Sequence, residues 1–388
     1  MIFSSNTRTD AAIKRERETD FEFLDRSSRP EIGRVRDLVA EALGRYPRHE
    51  VDELAARVCA RDDHAFRSAT FELLLHDALV RVGYALQSHP ALPNGTAARP
   101  DFLVTDEAGS SFYLEAVLAS SKDGSNPAAE AIKATTIDAL SQAPHKNFYI
   151  DVDGDGDPTS QPSCKALIRS IHEWLDAMNV DEVSNTVAER GFEAAPTMTW
   201  EHESWKLTLR PIPVKPERRG GLRTLVGMQG GGAGIIDDWT PLRNGLKKKG
   251  GKYGTLDKPF IVAVNANAFN LDPIDEMQAL FGQEQYVEYV GRSDLGGHMR
   301  RIPNGAWIGP EGPQGRRVSG AWFFNDLTPY SIASRRCTLY ANPAAHHAIP
   351  ESMLRFPNAK VVDGRMVRQD GVGLASLFGI PEGWPERG

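Results

Sequence analysis

The sequence predicts an α/β fold, with a central mixed β-sheet flanked by helices and extended by a C-terminal α/β portion. Three observations predict it. Phe71, Leu74, Leu75, Ala78, Leu79 and Val82 recur at three- and four-residue spacing, which makes one apolar helical face. Two short, aromatic and branched runs follow, Asp101–Val104 and Ser111–Leu118, separated by the turn signal Asp106-Glu107-Ala108-Gly109. Much later, Pro259–Asn265 (PFIVAVN) is an apolar run suited to a buried strand.

Taken in order, residues 1–29 are polar and mixed in charge and read as a mobile arm. Residues 30–62 read as a helical cap. Pro30-Glu31 suits a first turn, and Ile32, Val35, Leu38, Val39, Ala42 and Leu43 form one stripe. A second stripe holds Val51, Leu54, Ala55, Val58 and Cys59. Residues 63–190 read as one α/β core: the Phe71 helix, the strand pair, a helix over Ala128–Gln142, a strand at Asn147–Val152 and an amphipathic helix over Pro162–Asn179. Residues 191–350 extend the sheet, starting with a hairpin in Thr197–Pro211 that breaks at Glu201–Ser204. Strands are expected again at Val318–Phe324 and Cys337–Tyr340, and residues 351–388 read as a turn-rich tail.

With 388 residues, 25% of them charged and 40% hydrophobic, the chain has the composition of an ordinary globular protein. Its net charge of −7 argues against a generic nucleic-acid binder while leaving room for a local basic groove. Cys59, Cys164 and Cys337 match neither a metal spacing nor a disulfide framework, and no apolar run is long enough for a membrane span. A cytoplasmic protein without membrane contact is the expectation.

The chemistry concentrates in acids. Glu72 edges the apolar helix, with His76 one turn on; Asp101 begins one strand and Glu115 lies on the next. Meeting in the fold, these three carboxylates would repel one another and raise their pKa values unless a cation sat between them. Oxygen-only ligands favour a hard divalent ion, Mg2+ or Mn2+.

A helix Glu, then Pro100-Asp101, then Glu115-Ala116-Val117 on the following strand resembles the PD-(D/E)XK nuclease superfamily, which has the restriction-endonuclease-like fold. The resemblance covers roughly 66–152. It implies a restriction-endonuclease-like core and divalent-metal-dependent hydrolysis of DNA phosphodiesters. Asp101 and Glu115 would hold the metal, Glu72 would hold a second metal or a bound water, and His76 would orient Glu72. The family places a lysine two residues after the strand glutamate, on the same strand face; this chain has Val117 there. Either Lys122 or Lys133 supplies the missing catalytic cation, or the protein is a catalytically degraded nuclease fold that binds nucleic acid or a protein partner. A homodimer is compatible with either reading.

Basic residues beyond that stretch are the candidate nucleic-acid contacts. Lys248 and Lys252 lie in the lysine-rich segment PLRNGLKKKGGKY, whose helix could lie beside the carboxylates. Arg300, Arg301, Arg316 and Arg317 lie with Trp307 in a glycine-rich region, a composition that suits phosphate gripping. Other signals are weaker. Asp151–Gly156 imitates a calcium loop but has Pro162 where its glutamate belongs, and the glycines at 230–234 lack a following Gly-Lys-Ser/Thr. His346-His347 finds no further zinc ligands.

Overall fold

The computed structural model describes residues 2–120, 126–221, 224–230, 239–267, 271–287 and 298–386. Lys122 and most of the 230–234 glycine run lie outside them. Helix α1 (Asp20–Arg26) starts at a capping box: the Thr19 side chain accepts from Glu22 N, and the Glu22 carboxylate accepts from Thr19 N. In α2 (Pro30–Arg45) the stripe from Ile32 to Leu43 is buried, with Pro30 in the first turn. Next come α3 (Val51–Val58) and α4 (Asp63–Arg81), the latter capped by Asp62, which accepts from Ala65 N. Residues 69–79 of α4 are all buried, as befits a helix enclosed by other helices and a sheet.

β1 (Ala85–Ser88), β2 (Phe102–Thr105) and β3 (Ser111–Ser120) form an antiparallel meander, with Phe102 opposite Leu114. The chain then builds α5 (Pro127–Ser141), β4 (Phe148–Asp155), α6 (Cys164–Asp176) and α7 (Val180–Arg190). β5 (Met198–His202) and β6 (Trp205–Pro213) make the expected hairpin, and β7 (Val226–Gly230) follows. After these come α8 (Trp239–Gly250), β8 (Phe260–Asn267), α9 (Pro273–Phe281), β9 (Glu284–Val287) and β10 (His298–Arg301). β11 (Ile308–Gly309), β12 (Gly312–Pro313), β13 (Gly320–Asn325) and β14 (Cys337–Ala341) precede β15 (Asn358–Val362), β16 (Arg365–Gln369) and α10 (Leu374–Phe378).

These elements divide into two units, one of Met1–Ala12, Thr19–Asp123 and Asp237–Gly388, the other of Ile13–Glu18 and Gly124–Ile236. Among the described residues, the first unit holds an eight-stranded mixed sheet in the order β1-β2-β3-β8-β13-β14-β15-β16. β8 runs parallel to both β3 and β13, and its neighbours cover it on both edges. Alternation along the strands sorts their side chains onto two faces. Phe112, Leu114, Ile261, Ala263, Trp322 and Phe324 pack with α2 and α4, whereas Tyr113, Val262, Val264, Ala321 and Phe323 pack with α8 and α9. Helices therefore flank the sheet on both sides.

Three expectations about organisation are corrected. The strand at Asn147–Val152 does not extend the main sheet. As β4 it pairs with β6 and β7 in a four-stranded sheet of the second unit, ordered β5-β6-β4-β7. Its Phe148, Ile150 and Val152 pack on Leu167, Ile171 and Leu175 of α6, while the edge of β3 is taken by β8, which is apolar on both faces. The acids of the calcium-like stretch are likewise in the β4 ladder, with Asp151 opposite Arg210, and the chain turns away at Gly156. There φ is +82°, and a Cβ would come 1.9 Å from the Ser204 carbonyl oxygen, so only glycine fits.

The N-terminal stretch is no mobile arm in its second half: α1 is helical, with Leu24 fully buried, and Arg8 donates to both the carbonyl and the carboxylate of Asp25. Nor is the C-terminal tail only turns, since β15 and β16 complete the sheet edge and α10 buries Leu374 and Phe378. Leu24→Ala is expected to destabilise the protein by about 2–5 kcal/mol in denaturant unfolding, the cost of a core cavity. A loosely attached arm would show no change.

Candidate functional site

Glu115 lies in the middle of β3 with no exposed surface. Its neighbours at the same parity, Tyr113 and Val117, point to the face that α8 covers. A carboxylate buried there needs hydrogen bonds and positive charge, and the end of α8 provides both. Lys249 donates to Glu115 Oε1, the Lys252 ammonium lies 3.6 Å from the same oxygen, and the Tyr253 hydroxyl donates to Oε2. Burial first, then the charge of Glu115, raises the Tyr253 phenol well above its ordinary value, so it stays a donor. The same hydroxyl lies 3.1 Å from the Arg99 carbonyl oxygen, which ties it to the segment leading into Asp101.

The residues at 117 and 245 explain how α8 reaches this position. A Cβ on Gly245 would lie 3.3 Å from Val117 Cγ1, so a glycine in α8 passes closely over an apolar side chain in β3. From Gly245 to Lys249 is one helical turn, a rise of about 6 Å. From Val117 back to Glu115 is two strand residues, about 6.7 Å. The two spacings match, and Lys249 arrives over Glu115. The cation absent from position 117 is thus supplied by the helix packed on that position.

Asp101, just before β2, completes the group. Its Oδ2 accepts from Ala116 N at 2.7 Å, which anchors it beside Glu115. Burial, then the charges of Glu115 and Glu72, push its carboxyl up to about 7, so it takes up a proton far more readily than an ordinary aspartate.

Glu72 has different surroundings. On α4 it accepts from the Tyr46 hydroxyl at 2.8 Å and from Arg57 at 2.6 Å, which ties α4 to the end of α2 and to α3. The expectation that three carboxylates share one ion is therefore corrected. Glu72 approaches from the α4 face and is paired with Arg57, though its charge still acts on Asp101, whereas Glu115 belongs to the α8 face. Among the described residues, no group of three or more His, Cys, Asp or Glu side chains could hold a metal ion. What remains is a pair of acids, Asp101 and Glu115, with two lysines. His76 does not orient Glu72: its ring packs on Tyr46 and Phe102, 4.7 and 5.8 Å between centroids, and among the described residues its buried Nδ1 has no hydrogen-bond partner. Burial pushes this imidazole down to about 4.

The other expected residues divide as follows. Lys133 is in the second unit and is committed there, donating to Asp157 at 2.6 Å and to Glu130 at 3.2 Å. Lys122 lies outside the described residues. Lys252, expected at nucleic acid, faces Glu115 and lies 5.0 Å from the Tyr253 ring centroid, while Lys248 is exposed on α8. On β10, Arg300 is exposed, but Arg301 is tied to Glu284 and to the Gly282 carbonyl. Arg316 and Arg317 are exposed after β12. His346 is exposed, and the ring of its neighbour His347 contacts the Leu256 carbonyl at 3.2 Å, so the two do not act together. Residue spacing alone did not assign Lys249, Tyr253, Tyr46 and Arg57 to the site. The available signal was Lys249, Lys252 and Tyr253 at three- and four-residue spacing ahead of the buried strand.

No family model, no curated protein and no solved structure matches this chain. Among the described residues, no helix is long and apolar enough to cross a membrane.

Two buried groups at this site give opposite pH dependences of stability. The folded-state pKa of Asp101 is raised to about 7, so its contribution is full below the unfolded value of about 4 and is lost as pH rises through 7. His76 is lowered to about 4, so its contribution is present above about 6.5 and lost as pH falls through 4. In wild type the two slopes oppose one another between pH 4 and 6.5. Denaturant unfolding of Asp101→Asn is expected to show stability falling on acidification over that window. His76→Phe is expected to show it falling as pH rises from 4 to 7, in each case by at most about 1.4 kcal/mol per pH unit.

Proposed function

We propose that the protein hydrolyses phosphodiester bonds of nucleic acid, DNA first, at the site formed by Asp101, Glu115, Lys249 and Lys252. One observation carries the reading: a lysine from α8 meets the buried glutamate beside Asp101, on the strand face where the resemblance to PD-(D/E)XK nucleases calls for a lysine. The order of elements supports it. A helix, an antiparallel meander of three strands, a helix and a strand parallel to the third, α4-β1-β2-β3-α8-β8, is the order expected of a restriction-endonuclease-like core, with residues 124–236 interposed. The cost of burying Glu115 supports it too. Glu115 is fully buried while its partner Lys249 is only partly so, an ion pair of small net stability, and beside it Asp101 has the displaced pKa that clusters at reactive sites.

The donor set fits a hard divalent ion held by two carboxylates. Both are oxygen ligands, and the field that raises Asp101 is one that a cation would relieve. Asp101 and Glu115 would hold Mg2+ or Mn2+, which supplies Lewis-acid stabilisation of charge on phosphate. Lys249 and Lys252 supply positive charge where the phosphoryl oxygens gather negative charge, often the largest contribution to such catalysis. Glu72 is a positioning residue, which sets α4 against α2 and α3 behind the pair.

A second reading has its own observation. Each oxygen of Glu115 and of Glu72 already has a protein donor, as in a site that has exchanged catalysis for structure and kept only binding. One set of measurements separates them. Plasmid and single-stranded DNA incubated with Mg2+ or Mn2+ should be cleaved, and Asp101→Asn, Glu115→Gln and Lys249→Met should each lower the rate about 100-fold or more while retaining DNA binding. Binding of Mn2+, followed by calorimetry in buffers of different ionisation enthalpy, should release up to about one proton per ion below pH 7 and tighten as pH rises through about 7. Binding of DNA without any cleavage, and without metal-linked proton release, would leave the degraded, binding-only reading.

A further inference from the structure

A cleft of about 520 Å³ opens beside the last turn of α8, away from Glu115. Lys247, Arg316, Arg317 and His346 line it, Trp307 is among its apolar residues, and its lining includes no acidic side chain. Lys247, Arg316 and Arg317 have no ion-pair partner among the described residues. In a chain of net charge −7, three cations around one cleft, without an acidic partner among the described residues, repel one another and create a local positive field that selects anions.

The arginine loop is held in place before any ligand arrives. Gly315 adopts φ +64°, and a Cβ there would lie 2.8 Å from the Ala306 carbonyl oxygen. Gln314 N donates to the Trp307 carbonyl at 2.7 Å, Asn342 Nδ2 to the Gly315 carbonyl at 3.2 Å, and His346 N to the Arg316 carbonyl at 2.8 Å. Backbone bonds on both sides therefore fix the loop while its guanidinium groups stay exposed, and a preorganised loop loses less entropy on binding. Guanidinium groups match phosphate oxygens with paired N–H donors.

We propose that this cleft is a phosphate-binding subsite that grips the backbone of a nucleic-acid strand at a phosphate other than the one placed at Asp101 and Glu115. The choice of a strand over a small phosphate ligand rests on the nuclease reading and on α8 itself. Lys247, Lys248 and Lys249 are consecutive on α8, where Lys249 faces Glu115, Lys247 lines the cleft and Lys248 is exposed, so one helix carries cations both to the acid pair and to the cleft.

The test measures binding apart from cleavage. Fluorescence anisotropy with a labelled single strand and a duplex, in EDTA and over a range of salt, compares wild type with Arg316→Glu/Arg317→Glu and with Arg316→Lys/Arg317→Lys. Both arginine side chains are exposed, and circular dichroism checks that each variant is folded. The glutamate variant is expected to bind at least about 10-fold more weakly, with the slope of log K against log salt reduced by about 2 for duplex, and the lysine variant to recover much of the loss. Unchanged binding in the folded glutamate variant overturns the subsite, as does wild type that binds no strand. Arginine-dependent binding of inorganic phosphate or adenosine monophosphate without strand binding overturns the strand as occupant. Arginine-dependent strand binding with no cleavage under Mg2+ or Mn2+ upholds the subsite and removes the nuclease reading instead.

Discussion

A carboxylate without solvent, in the third strand of an eight-stranded sheet, has to be met by charge, and Glu115 is met by Lys249. Unpaired, it would carry a penalty of several kcal/mol or take up a proton. The position of α8 follows from this demand together with the close pass of Gly245 over Val117. The helix is long enough to carry its last turn to Glu115, and the chain then enters β8 alongside β3. Helix placement and the local electrostatics meet in that one contact.

The sheet also acts as a partition. Strand alternation sends Glu115 to the α8 face while Glu72 belongs to a helix on the other, so acids that look equivalent in sequence have different partners. Glu72 is balanced by Arg57 and Tyr46 and holds helices together. Asp101 sits just before a strand, its carboxylate accepting from the Ala116 backbone N–H, and burial together with the neighbouring acids raises its pKa. Among the three acids, the least satisfied is the one most open to a cation or a proton.

Charge is arranged locally rather than globally. The chain is acidic overall, yet the end of α8 and the 316–317 loop gather cations around lining residues that include no acid. Net charge therefore says little about this region. Where arginine and lysine meet acids elsewhere, as at Arg301 with Glu284 or Lys133 with Asp157, they are spent on structure.

Periodicity alone determined helices α2 to α6, the β2–β3 pair, the β5–β6 hairpin and the buried strand β8, because apolar spacing is set by the helical turn and the strand pleat. It also singled out Asp101 and Glu115, since a short acidic pattern around adjacent strands is a local feature. Which strands become neighbours is not local. β4 and β8 are both apolar enough to follow β3; only packing on α6 sends β4 to another sheet, and only α8 brings β8 beside β3. The cation at Glu115 comes from residue 249, more than a hundred positions away, and Glu72 has its own partner in an arginine on a different helix. Tertiary structure alone decided these matters, because the partner of a buried charge is set by which elements cover it.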